Sequence, residues 1–125
     1  PLDSVFGLEN LDKNHNTLIC KSLKDYMVCK KIYPYVCGVQ NESVGSFSQD
    51  TIDYIRENSL DVFYGGDSDE AGKNVSGSST KMCGFKHINT PDQLLAENIN
   101  DFAEMGKVKG LEAVKQHFIT KGLMI

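Results

Sequence analysis

A chain of 125 residues has room for one domain with a real core and little for a second. With 13 Lys and Arg against 17 Asp and Glu, the formal charge is −4, which excludes a general polyanion binder acting through its net field; contact with nucleic acid needs a local basic surface or other domains. Hydrophobic content of 40% and charged content of 24% suit a soluble globular protein, and no apolar run approaches the roughly 20 residues of a membrane span.

Residues 1–15 carry scattered apolar positions (Val5, Phe6, Leu8, Leu11) and then a polar run from Asp12, and read as a lead-in to a domain over 16–125. The chain begins with Pro1 and shows no signal peptide, as expected of a segment cut from a longer cytoplasmic polypeptide. Thr17, Leu18, Ile19 and Cys20 form the first buried-strand candidate. Ser22 is a plausible N-cap, and Leu23, Tyr26, Met27 and Lys30 fall at helical spacing, which predicts a helix to about Ile32, stopped by Tyr33-Pro34. Tyr35 to Val39 is the second strand. Ser48 can cap a helix with Thr51, Ile52, Tyr54 and Ile55 on one face, ending near Asn58.

Leu60, Val62, Phe63 and Tyr64 mark the third strand, residues 73–80 are poor helix formers, and Met82 to Ile88 makes a fourth, weaker strand. Pro91 and Asp92 introduce a helix to about Asn98, and Val108, Leu111, Val114, Gln116 and Phe118 mark one final amphipathic helix. Met27, Tyr54, Leu111 and Phe118 are expected in the core. Cys20, Cys29, Cys37 and Cys83 show no C-x-x-C pair, so buried free thiols in a reducing compartment are expected. Strands alternating with helices predict an α/β fold, with a parallel sheet joined by right-handed crossovers and a site at the carboxyl ends of the strands. Three polar clusters fall there: Lys21 to Asp25, Gln40 to Ser43, and Asp67 to Asp69.

The most informative stretch is Leu60 to Gly72, LDVFYGGDSDEAG, in which a short apolar run ends in two glycines and two spaced aspartates. Gly65 and Gly66 let the backbone turn or approach something closely. Asp67 and Asp69 could converge on one hard cation, and Mg²⁺ favours one or two carboxylates with waters and phosphate oxygens. A calcium EF-hand loop from Asp67 fails, because its third ligand position is Ala71 and its closing glutamate position is Ser78. A P-loop fails too: Asp67 stands where its first glycine belongs, and Asn74 stands where Ser or Thr should follow Lys73. His15, His87 and His117 show no ligand spacing.

These residues resemble a Toprim domain, the metal-binding catalytic module of bacterial-type and phage primases, topoisomerases and some nucleases. The resemblance covers roughly residues 16–120. It rests on Asp67-Ser68-Asp69-Glu70-Ala71-Gly72 after a strand, similar to the family's D-x-D with a following A-G, and on Lys21-Ser22-Leu23-Lys24-Asp25, where the family pattern is Glu-Gly-x-x-Asp. Asp25 matches; Lys21 and Ser22 depart. Asn98-Ile99-Asn100-Asp101-Phe102 is similar to the N-D segment near the end of primase Toprim domains.

The resemblance implies a Rossmann-like sheet of about four strands. It implies Mg²⁺ or Mn²⁺ on Asp67 and Asp69, and a catalytic set of Lys21, Asp25 and Glu42. Lys21 would contact phosphate as a point charge in place of the usual glutamate. Glu42 would supply the missing carboxylate: if the strands follow the family's 3-2-1-4 order, the second lies between the first and third and brings Glu42 beside Asp67.

The function implied is template-directed synthesis of RNA primers by a DNA primase or primase-helicase. Its partners would be nucleoside triphosphates, single-stranded DNA template held through neighbouring domains, and a replicative helicase, with no membrane. A Toprim nuclease using the same carboxylates and a non-catalytic Toprim-like scaffold remain open. An aspartate-nucleophile phosphatase is disfavoured, because its D-x-D follows the first strand.

Overall fold

The computed structural model describes residues 5–20, 22–39, 48–66, 86–99 and 101–124. Four strands form one parallel sheet: β1 (Thr17–Cys20), β2 (Val36–Gly38), β3 (Val62–Gly66) and β4 (Lys86–Asn89), in the order β2-β1-β3-β4. Among the described residues, four α-helices accompany them: α1 (Leu23–Lys30), α2 (Gln49–Glu57), α3 (Phe102–Lys109) and α4 (Leu111–Thr120). All of Thr17–Cys20 is buried, as a parallel strand covered on both faces must be.

Side chains alternate between two cores, following the period of two along each strand. Leu18, Cys20, Val36, Phe63 and Ile88 join Cys29 of α1, Phe102 and Met105 of α3, and Val114 and Phe118 of α4. Ile19, Cys37, Val62 and Tyr64 join Ile55 of α2 on the other face. Helices therefore cover both faces, which is the expected α/β architecture.

Local chemistry sets several boundaries. Ser22 Oγ accepts the Asp25 N–H at 3.2 Å to start α1, and Ser48 Oγ accepts the Thr51 N–H at 3.3 Å to start α2. Gly110, with φ of 94°, divides the expected single final helix into α3 and α4. The helix expected after Pro91 is a 3-10 helix over Asp92–Glu97. The fourth strand, expected over Met82 to Ile88, is described from Lys86 to Asn89.

The lead-in packs against the sheet. Phe6 and Gly38 exchange backbone hydrogen bonds of 3.0 and 2.9 Å in an antiparallel bridge, and Val5, Leu8 and Leu11 pack on the α2 side of the core.

Three expected core residues are exposed: Met27 (58%), Tyr54 (36%) and Leu111 (38%), while Phe118 is fully buried. On α1 the buried positions are Asp25 and Cys29, so the helix turns its Leu23 and Met27 side to solvent. Leu60 lies before β3 and is 59% exposed. Cys20, Cys29 and Cys37 are buried free thiols as expected; Cys83 lies outside the described residues.

The strand order requires a larger correction. A 3-2-1-4 order would seat β2 between β1 and β3, but β1 pairs with β2 on one side and β3 on the other. β2 is therefore separated from β3 by β1, and the strand adjacency from which Glu42 was expected beside Asp67 is absent; Glu42 and Asp67 themselves lie outside the described residues.

Candidate functional site

In the order β2-β1-β3-β4 the chain moves from β1 outward to β2, then crosses back to β3 on the opposite side of β1. Such a reversal leaves a crevice outside the carboxyl ends of the two central strands, where open α/β sheets bind ligands. Here those ends are Cys20 and Gly66, and the residues that follow them are Lys21 and Asp67. In sequence, the clusters Lys21 to Asp25 and Asp67 to Asp69 follow directly on these two strand ends. The side chains of Lys21, Glu42, Asp67 and Asp69, and the 73–80 segment, lie outside the described residues.

Asp25 is described in full. Among the described residues it is the only charged side chain that is buried, at 4% exposure. A buried carboxylate is tolerated when hydrogen-bonded; its Oδ1 accepts the backbone N–H of Ala103 at 2.9 Å. Ala103 is the second residue of α3, within the first turn, whose N–H groups have no intrahelical partner. The N-cap of α3 is Asp101, whose Oδ1 takes the Glu104 N–H at 2.8 Å, and Lys24 Nζ stands 3.7 Å from Asp101 Oδ2. Two carboxylates, one from each helix, therefore hold the N-terminus of α3. Asp101 serves as that cap.

The end of β3 is shaped by the same helix. A Cβ built on Gly65 would lie 3.2 Å from the Phe102 ring and 3.4 Å from the Ile19 carbonyl oxygen. The close approach expected at this glycine pair is thus with the first residue of α3.

Beside Asp25, the Cys20 thiol is held well above its usual range by its hydrogen bond with Cys29, by burial, and by the charges of Cys29 and Asp25. It is a protonated, inert group at neutral pH. Sequence reasoning missed the link from Asp25 to Ala103, 78 residues away. The one signal for it was a carboxylate at the third position of a capped helix, which also reads as a local dipole partner.

A cavity of about 120 Å³ opens at the amino ends of the strands, walled by Asn16, Tyr33, Leu60 and Leu123 among others. Its polar groups are engaged: the Asn16 amide donates to the Gly122 and Leu123 carbonyls, and the Tyr33 hydroxyl donates to the Asn16 carbonyl. It lies at the opposite end of the sheet from the switch point. Among the described residues no helix is long and apolar enough to cross a membrane, and no group of three His, Cys, Asp or Glu side chains is arranged to hold a metal.

No protein-family model matches the chain, and no curated protein matches it in sequence. Solved structures match it in fold. The DnaG catalytic core superposes with a TM-score of 0.69 at 16% identity, over 93% of this chain and 39% of that one. The Escherichia coli primase catalytic core gives a TM-score of 0.69 at 17% identity, over 93% and 38%. The DnaG primase catalytic domain bound to single-stranded DNA gives 0.65 at 15%, over 86% and 34%. At these identities the likeness is one of fold, and the chain spans little more than a third of the structures it matches. The expected α/β fold, a parallel sheet flanked by helices, stands, and it is shared with these primase catalytic cores.

Proposed function

We propose that this chain is the metal-binding Toprim domain of a DNA primase or primase-helicase, serving nucleotidyl transfer in RNA primer synthesis. The observation that supports it most is the coincidence of two things. The fold is that of primase catalytic cores, and its switch point opens where Asp67-Ser68-Asp69 follows β3 and Lys21 follows β1.

Asp67 and Asp69 offer a hard, two-carboxylate donor set suited to Mg²⁺ or Mn²⁺. Such an ion neutralises charge on a triphosphate during in-line displacement. Lys21 clamps a phosphate oxygen of the incoming nucleoside triphosphate, and its ammonium takes no part in proton abstraction. Glu42 is the candidate carboxylate for handling the proton. Single-stranded template and a replicative helicase engage through neighbouring domains of the parent chain.

Primer synthesis by the parent chain on a single-stranded template tests this reading. The Asp67→Ala, Asp69→Ala double variant is expected to lose all primer product. Undiminished synthesis by the double variant would remove these aspartates from the reaction. Failure of the parent itself to prime, with metal still bound, would favour a nuclease or scaffold role for the same fold.

A further inference from the structure

Asp25 sits in a chain of contacts that joins the two strand ends flanking the switch point. On one side it belongs to the first turn of α1, whose cap Ser22 lies two residues beyond the end of β1. On the other, its Oδ1 holds the Ala103 N–H of α3 at 2.9 Å. The residue before Ala103 is Phe102, whose ring lies against Gly65 in β3, two residues before Asp67. The side chain is almost completely enclosed, and its Oδ1 accepts from a helix N-terminus that needs an acceptor.

We propose that Asp25 is a positioning residue: through Ala103 and Phe102 it fixes the spacing between the carboxyl ends of β1 and β3, and it neither binds the metal nor carries a proton. The proposal deepens the primase reading and rests on it for its functional part. The paired register of β1 with β3 runs from Thr17 and Val62 to Ile19 and Tyr64, and the Asp25–Ala103 bond with the Phe102–Gly65 contact joins α1 to β3 from outside the sheet. Apposed groups that must share one metal–nucleotide complex tolerate little misplacement.

The test separates an acceptor from a charge. Asp25→Asn keeps an oxygen acceptor for the Ala103 N–H, whereas Asp25→Ala removes it. Two quantities are read on the 125-residue chain: amide hydrogen exchange at Ala103 by NMR, and Mn²⁺-dependent affinity for a nucleoside triphosphate. For Asp25→Asn, Ala103 exchange is expected to stay within about tenfold of wild type and the affinity within about threefold. For Asp25→Ala, exchange is expected to rise about a hundredfold and affinity to fall at least about tenfold, with α4 amides still protected. Phe102→Leu, which keeps the hydrogen bond but loosens the contact with Gly65, should weaken affinity while Ala103 stays protected.

Unchanged Ala103 exchange in Asp25→Ala would overturn the brace. Loss of affinity in Asp25→Asn as deep as in Asp25→Ala, with Ala103 protected, would overturn it in favour of a direct role for the carboxylate. Absence of metal-dependent binding in the wild type would instead sink the primase reading and the functional part of this proposal, leaving the brace to be decided by exchange at Ala103.

Discussion

Val28 of α1 and Gly106 of α3 mark a close approach of two helices on the same face of the sheet: a Cβ on Gly106 would lie 3.0 Å from Val28 Cγ1 and 3.3 Å from Leu111 Cδ2. Only hydrogen fits there without a shift. The contact lies three residues along each helix from the Asp25–Ala103 hydrogen bond, so the two features fix the same pair of helices.

Gly106→Ala is therefore expected to destabilise the domain. The helix interior would gain about 1 kcal/mol from replacing glycine, but overpacking costs roughly 1–3 kcal/mol. A net loss of about 1 kcal/mol in urea unfolding is predicted. A gain of similar size would show that α1 and α3 separate freely.

The ends of α3 and α1 give a contrasting pair. Asp101→Ala removes the cap on the Glu104 N–H and should cost about 1 kcal/mol. Lys24→Ala removes only an ion pair whose lysine is 66% exposed, and should cost less than about 0.5 kcal/mol. Equal losses in chemical denaturation would mean that the ion pair, not the cap, secures the helix start.

How far the sequence revealed this fold depends on range. β1 matches its expected span, and the caps at Ser22 and Ser48 were legible because a hydroxyl and an N–H three residues on make a local bond. Which side of α1 faces the core was not legible. Leu23 and Met27 outweigh Asp25 on any hydrophobic scale, yet the carboxylate is buried because an α3 amide 78 residues away receives it. Gly110 carried a signal for a break, but the apolar spacing ran through it. The strand order has no local signature: it follows from the side on which each crossover returns, so the expected 3-2-1-4 order is replaced by β2-β1-β3-β4, with β1 rather than β2 beside β3.

The corrected burial pattern can be checked directly. Met27→Gln should change stability by less than about 0.5 kcal/mol, as for most surface substitutions. Phe118→Ala should cost about 3–5 kcal/mol, since Phe118 is fully buried and packs edge-on against Phe102 at 5.1 Å. A large loss from Met27→Gln would return that side chain to an interface.

Alkaline pH should weaken the fold in a defined direction. Burial pushes the Cys37 thiol from 9.0 to about 12, and burial, then the neighbouring Tyr35, raise Tyr33 from 10.0 to about 12. Each group is held neutral in the folded state, so its contribution is full below the unfolded pKa and is lost as pH rises from there toward about 12. For Cys37 the loss should reach about 1 kcal/mol by pH 10. Urea unfolding between pH 8 and pH 10 should show this slope, and Cys37→Ala should flatten it. An unchanged slope in Cys37→Ala would assign the loss to other groups.

The central proposal is that Asp67 and Asp69, which follow β3 in sequence, capture a metal–nucleotide complex. Calorimetric titration of Mg²⁺ or Mn²⁺ into the 125-residue chain, with a nucleoside triphosphate present, tests it most directly against the Asp67→Ala, Asp69→Ala double variant. The account predicts metal-dependent nucleotide binding by the wild type that the variant loses. Equal binding by the two proteins, or none by either, would contradict it.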